Sequence, residues 1–293
     1  MSGHALLDPE FVRELEVLRR RLEPKARSAG PGEHLARRRG GSAEFHDHRP
    51  YAEGDDLRRL DWAAYARSGE PVLKVFRSEE DVVVRVLCDA SASLDFGQPT
   101  KLDTAKRLAA AVGYMALATS ERAQLVVGSG SGAVVHPIER GRGGLPGFLR
   151  RLEGLEASGA LELAGALDAL AARASRAGLL VVISDFLDPG PWRAALSRAV
   201  AAGHELVLVQ VLAKEELAPP HDGDCAFEDA ETGAIVELVL DAASLEAYEA
   251  RLFGLLHELA GFAKRHGATY VRMTSDEPLE PVLRRLVART VDR

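Results

Sequence analysis

The chain has 293 residues, 46% apolar and 28% charged, an ordinary globular mix that excludes disorder throughout. Its 37 Lys and Arg against 44 Asp and Glu give a net charge of −7, which argues against a general nucleic-acid binder. The two cysteines, Cys88 and Cys225, are too few for a disulfide framework or a structural zinc site. No stretch approaches the roughly 18 apolar residues that span a bilayer. Met1 opens no apolar leader, so the expectation is a soluble cytoplasmic protein.

Pro9 to Leu22 reads as a helix, with Phe11, Leu15, Leu18 and Leu22 three or four residues apart. A Gly- and Arg-rich linker follows, Ser28 to Ser42. Glu44 to Phe76 mixes aromatics, Arg, Asp and turn residues, the texture of a small β-rich module. Helix, linker and module form a first region, residues 1–79. Charge is uneven: Leu18 to Gly40 carries a balance of +6, and Glu205 to Glu249 one of −11. Such asymmetry suits a protein that docks on partners; two solvated faces are the plainer reading.

From residue 80 to 293 the pattern is regular. Val82 to Cys88 is an apolar run broken only by Arg85, the mark of a strand buried on both faces. Lys101 to Ala118 keeps helical spacing, and Thr100 with Asp103 resembles a capping box. Short strands at Gln124 to Val127 and Ala133 to His136 flank Gly128-Ser-Gly-Ser-Gly132. Helices are predicted over Leu145 to Leu155 and Leu161 to Ser175, then the strand Leu179 to Ser184, a helix near Pro191 to Ala201, and the strand Glu205 to Leu212. A hairpin insertion near 222–239 turns at Thr232-Gly233. The helix Ala243 to His266, the strand Thr269 to Arg272 and the helix Leu279 to Ala288 close the pattern. Alternating helices and apolar strands predict a doubly wound, mostly parallel α/β sheet behind a small N-terminal β-rich module.

In open α/β sheets, ligands bind beyond the carboxyl ends of the strands, where strand order reverses. The first core strand runs into Asp89-Ala-Ser-Ala-Ser93, and Leu179 to Ser184 runs into Asp185. If these strands are neighbours, Asp89, Ser91, Ser93 and Asp185 converge on one crevice. Two carboxylates and two hydroxyls make an all-oxygen site suited to Mg²⁺ or Mn²⁺. The competing reading has Asp89 and Ser91 capping a turn and Asp185 capping the next helix.

Asp89-x-Ser-x-Ser93 after a buried strand resembles the metal-ion-dependent adhesion motif of von Willebrand factor A domains. Glu44-Phe45, Arg49-x-Tyr51, Gly54-Asp55-Asp56-x-Arg58, Asp61-Trp62, Ala66-Arg67 and Ser184-Asp185-Phe186 together resemble the bacterial domain-of-unknown-function family 58. The resemblance runs from about Gly30 onward. It implies a Rossmann-like A domain behind a β-rich segment. It also implies a MoxR-type AAA+ ATPase as partner, with the chain acting as adaptor toward a client protein in remodelling or cofactor insertion. The expected function is therefore a non-enzymatic, metal-dependent protein binder. The alternatives are a structural adaptor with a degenerate metal site and a metal-assisted hydrolase. One departure stands out: Leu161, in Ser158-Gly-Ala-Leu-Glu-Leu163, occupies the slot where such sites place a Thr ligand.

In the signature itself, Gly54-Asp55-Asp56 reads as a turn, and Arg49, Arg58 and Arg67 as ion-pair partners for Asp55, Asp56 or Asp61. Tyr51 and Trp62 supply apolar area, either as glue between the two regions or as a partner-docking surface. Other signals are set aside. Gly128 to Gly132 precedes a strand, whereas a phosphate loop opens a helix. His46-Asp-His48 lacks a third ligand at supporting spacing, no Gly-x-Ser-x-Gly elbow is present, and buried Cys88 reads as packing.

Overall fold

The computed structural model describes residues 6–28, 44–51, 60–77, 82–119, 121–173, 176–187, 190–219 and 223–291. These fall into two compact units, one within 1–36 and 82–293, the other within 37–81.

In the smaller unit, β1 (Glu44–Pro50) pairs antiparallel with β2 (Val72–Arg77), with a register shift between Phe45 and Asp47. Between them lies the short helix α2 (Trp62–Ser68). Asp61 starts that helix by accepting from the amides of Ala63 and Ala64 at 3.0 and 3.1 Å, a cap that satisfies two otherwise orphan donors. Gly69, at φ 73°, ends it in the left-handed conformation that favours glycine.

The helix α1 (Pro9–Ser28), which its sequence position groups with the β module, belongs instead to the larger unit. Its apolar stripe buries Phe11 and Leu15 in the main core, Arg107 lies over the Phe11 ring, and the Tyr114 hydroxyl donates to Glu16. Amphipathic spacing finds a helix but does not say which surface its apolar face will cover.

The larger unit holds β3 (Val83–Asp89), α3 (Lys101–Ala118), β4 (Arg122–Ser129), β5 (Gly132–Val135), β6 (Glu139–Arg140), α4 (Gly141–Glu153), α5 (Leu163–Ala171) and β7 (Leu179–Ser184). It continues with α6 (Trp192–Ala201), β8 (Glu205–Leu212), α7 (Lys214–Leu217), β9 (Gly223–Glu228), β10 (Ile235–Leu240), α8 (Ala242–His266), β11 (Thr269–Thr274) and α9 (Leu279–Val291). The sheet order is β11-β8-β7-β3-β4-β5, with β6 also pairing β4. All neighbours from β11 to β4 are parallel; β5 and β6 add antiparallel edges. This is the doubly wound α/β sheet expected from the sequence, with β9 and β10 as a separate antiparallel ribbon.

Every residue of β3 is buried because helices cover both faces. Val84, Val86 and Cys88 face the core shared with α1, α3, α4 and α9. Leu87 faces the opposite core, with α5, α6 and α8. Each such Val or Leu, fully buried, contributes roughly 1.5–3 kcal/mol. Arg85, the interruption in the run, donates from Nε to Gln124 Oε1 at 3.2 Å, and Gln124 donates in turn to the His136 carbonyl.

The chain builds β3, adds β4 on one side, then returns to place β7 on the other. The strand order therefore reverses between β3 and β7, and the crevice beyond their carboxyl ends is the natural place for a site. Two close approaches shape its walls. A Cβ on Gly97, at φ 90°, would lie 2.9 Å from Ala213 Cβ, so only glycine lets the loop before α3 meet the end of β8. Gly130 and Gly159 pack backbone to backbone, a Cβ on either falling within 2.5 Å of the other's Cα.

Candidate functional site

Asp89 ends β3 and Asp185 follows β7, as neighbouring parallel strands require. Asp89 Oδ1 accepts from the Ser91 amide at 2.8 Å and the Ser91 hydroxyl at 2.7 Å. Its Oδ2 accepts from the Ser184 hydroxyl at 2.6 Å, tying the ends of β3 and β7 together. Ser91 Oγ lies 3.0 Å from Ser93 Oγ, and Ser93 Oγ donates to Asp185 Oδ2 at 3.1 Å. The four residues singled out in the sequence thus form one continuous hydrogen-bonded chain.

Two residues the sequence reading missed complete the site. The Lys101 ammonium donates to Asp185 Oδ2 at 2.7 Å and to Glu216 Oε1 at 2.6 Å, and Lys101 has 0% of its surface exposed. Glu216 is held from its other oxygen by the Ala213 amide at 2.7 Å. On the far side of Asp185, the Leu187 amide donates to Oδ1 at 3.0 Å and Gln210 donates to the backbone carbonyl at 2.8 Å. Phe186 sits at φ 57°, a strained conformation for a side chain of its size, held where its amide meets Ser184 Oγ.

The electrostatics follow from burial. Desolvation first, and then the charge of Asp185, push the Asp89 carboxyl up to about 7 against its hydrogen bonds from Ser184 and Ser91. Burial also raises Glu216, outweighing the Lys101 charge beside it. Burial alone would lower Lys101, but the charges of Asp185 and Glu216 and the two hydrogen bonds outweigh it and hold the ammonium above the ordinary lysine range.

These residues do not fit a divalent ion, so the expectation of Mg²⁺ or Mn²⁺ on Asp89, Ser91, Ser93 and Asp185 is corrected. Among the described residues, no group of three or more His, Cys, Asp or Glu is arranged to hold a metal. The Lys101 ammonium already bridges two carboxyls of the crevice, placing a positive charge where a second cation would have to approach. Leu161, in the slot of the usual Thr ligand, is buried in the core with Val126 and Leu163 and offers no oxygen. The metal-dependent binder expected from the motif falls with its metal, which favours the alternative of a degenerate metal site. The motif's oxygens are engaged with one another and, through Asp185, with the lysine.

The upstream signature falls in the smaller unit. Gly54, Asp55, Asp56 and Arg58 lie outside the described residues, and Arg49 is described only as backbone of β1. The Tyr51 amide donates to the Pro71 carbonyl at 2.9 Å, and Asp61 is the cap of α2. Trp62 keeps 63% of its surface exposed and meets Tyr65 edge to face at 6.3 Å, so within the described residues it is not buried packing.

A signal for Lys101 was present in the sequence. A lysine at the first position of a helix opposes the helix macrodipole, a placement that calls for a nearby anion. Glu216 had no such signal, because its four-residue helix α7 is too short to show periodicity.

Fold and crevice together define a doubly wound, Rossmann-like α/β protein with a polar network at its switch point. Residues 47–252 match the family described as "Protein of unknown function DUF58", and the chain belongs to that family. It is 33% identical over 241 residues to uncharacterised proteins of Mycobacterium bovis and Mycobacterium tuberculosis, covering 80% of this chain and 76% of each relative. Among solved structures, the conserved hypothetical protein BatB from Bacteroides thetaiotaomicron aligns at a TM-score of 0.46 and 18% identity, over 72% of this chain and 100% of that one. A von Willebrand factor type A protein from Catenulispora acidiphila aligns at 0.36 and 21%, over 62% of this chain and 43% of that one. Among the described residues, no helix is long and apolar enough to cross a membrane.

Proposed function

We propose that this chain is a non-enzymatic, protein-binding adaptor that engages its partner without a bridging metal. The observation that carries the reading is the β9–β10 ribbon. It stands outside the main sheet and leaves Ile235, Val236 and Val239 exposed at 66%, 55% and 58%. Ile235 and Val239 share one face of β10 and Val236 lies on the other, so the ribbon exposes apolar side chains on both faces, and exposed apolar surface of this kind marks a docking site. The exposed Trp62 and Tyr65 on α2 give the smaller unit a second surface of the aromatic type favoured at binding hot spots. The partner is a MoxR-type AAA+ ATPase, by family resemblance, with a client protein as the third component.

The test is direct binding of the purified chain to a MoxR-type ATPase from the same organism, with and without chelator. The wild type is expected to bind equally in both, and Val236→Lys/Val239→Lys to weaken binding while leaving the fold intact. A wild type that fails to bind overturns the partner assignment. Binding indifferent to the ribbon substitutions overturns the ribbon as the docking surface.

A further inference from the structure

We propose that Lys101 is the crevice's own cation, a tethered ammonium that takes the place of a diffusible metal ion and keeps the site closed to one. The geometry has three parts. The ammonium bridges carboxyl groups from two different segments, Asp185 in the loop after β7 and Glu216 in α7 after β8, at 2.7 and 2.6 Å. It is fully buried at the switch point, one hydrogen bond from the Ser93 hydroxyl through the shared Asp185 Oδ2. It is also covalently fixed there. Thr100 caps α3, accepting from the Asp103 amide at 3.1 Å, so the backbone of the next residue, Lys101, is set by the helix start.

A hard cation of this kind is commonly held by one or two carboxylates, with hydroxyls and waters completing its shell. Asp185, Glu216 and Ser93 supply that donor set, and the ammonium satisfies it first. Because the cation is part of the chain, its local concentration is fixed, and neither metal supply nor chelator can change the state of the crevice. The same donors stripped of the lysine would form a divalent site. The inference is independent of the docking reading, since metal titration reads the crevice with no partner present.

The experiment titrates Mn²⁺ alone into the purified full chain and follows free Mn²⁺ by electron paramagnetic resonance. The variants are wild type, Lys101→Ala, Lys101→Arg and Lys101→Ala/Asp185→Asn. Lys101→Ala is expected to bind one Mn²⁺ more tightly than wild type by on the order of ten-fold or more. Lys101→Arg should stay as blind to Mn²⁺ as wild type, and adding Asp185→Asn to Lys101→Ala should abolish the gain. Wild type binding as tightly as Lys101→Ala, or Lys101→Ala binding no better than wild type, overturns the proposal. Should Lys101→Ala unfold alone, refolding from urea replaces the titration. Recovery in Mn²⁺ but not in chelator supports the inference, and no recovery in either overturns it.

Discussion

Asp89 in the crevice and the carboxyls flanking the ribbon behave in opposite ways. Asp89 accepts three hydrogen bonds, yet burial and the neighbouring Asp185 raise it to about 7. Asp229, in the β9–β10 turn, accepts two amide hydrogens at 2.9 Å, and Asp241 caps α8 by accepting from the Ser244 amide at 2.8 Å; both are lowered by those bonds. The number of hydrogen bonds therefore does not decide the outcome. Exposed carboxylates lose little hydration, so the amide bonds win. At the crevice the lost hydration is the larger quantity, and a positive charge has to be built into the core to offset it.

That contrast can be broken most severely at its cation. Lys101→Met keeps the apolar stem but strands Asp185 and Glu216 without their counter-charge, an expected loss of about 3–5 kcal/mol in urea unfolding. Ser184→Ala removes the hydroxyl that bridges Asp89 and the Phe186 amide; about 1–3 kcal/mol should be lost, by the same measurement. The pH response sharpens the comparison further. A folded-state value raised from 3.8 to about 7 means that the native protein holds the Asp89 proton more tightly than the unfolded chain. Its contribution to stability is then greatest at low pH and declines as pH rises from about 4 through about 7. Relative to Asp89→Asn, which does not titrate, the wild type should lose stability across that window; parallel curves would refute the raised value. The smallest effect belongs to the exposed side. Asp241→Ala should fray the first turn of α8, seen as faster amide exchange at Ser244, with little change in the midpoint of global unfolding.

Much of this was legible in the residues. The apolar run before Cys88 and the one ending at Ser184 can only be strands covered on both faces, and strands of that kind, alternating with helices, leave few arrangements besides a doubly wound sheet. Asp89-x-Ser-x-Ser93 and Asp185 follow those two strands, so their meeting depended only on the strands being neighbours. The helix α1 shows where such reading stops: Phe11 and Leu15 announce an apolar stripe, and nothing local says that the stripe lies on the larger core. Helical periodicity likewise carried the predicted helix start two residues too far, to Leu161, whose backbone belongs to the loop beside the crevice.

Layer architecture, strand ends and the oxygen-rich motif follow from the residues alone, because periodicity and local turn chemistry are written in neighbouring residues. What occupies the motif was decided only by tertiary structure. Lys101 lies 84 positions from Asp185 and 115 from Glu216. It reaches both because Gly97 lets its loop press against the end of β8. A metal motif and a lysine-filled network can share the same Asp-x-Ser-x-Ser letters. The difference is a charge brought in from elsewhere in the chain, and desolvation makes that charge decisive once the core has closed around it.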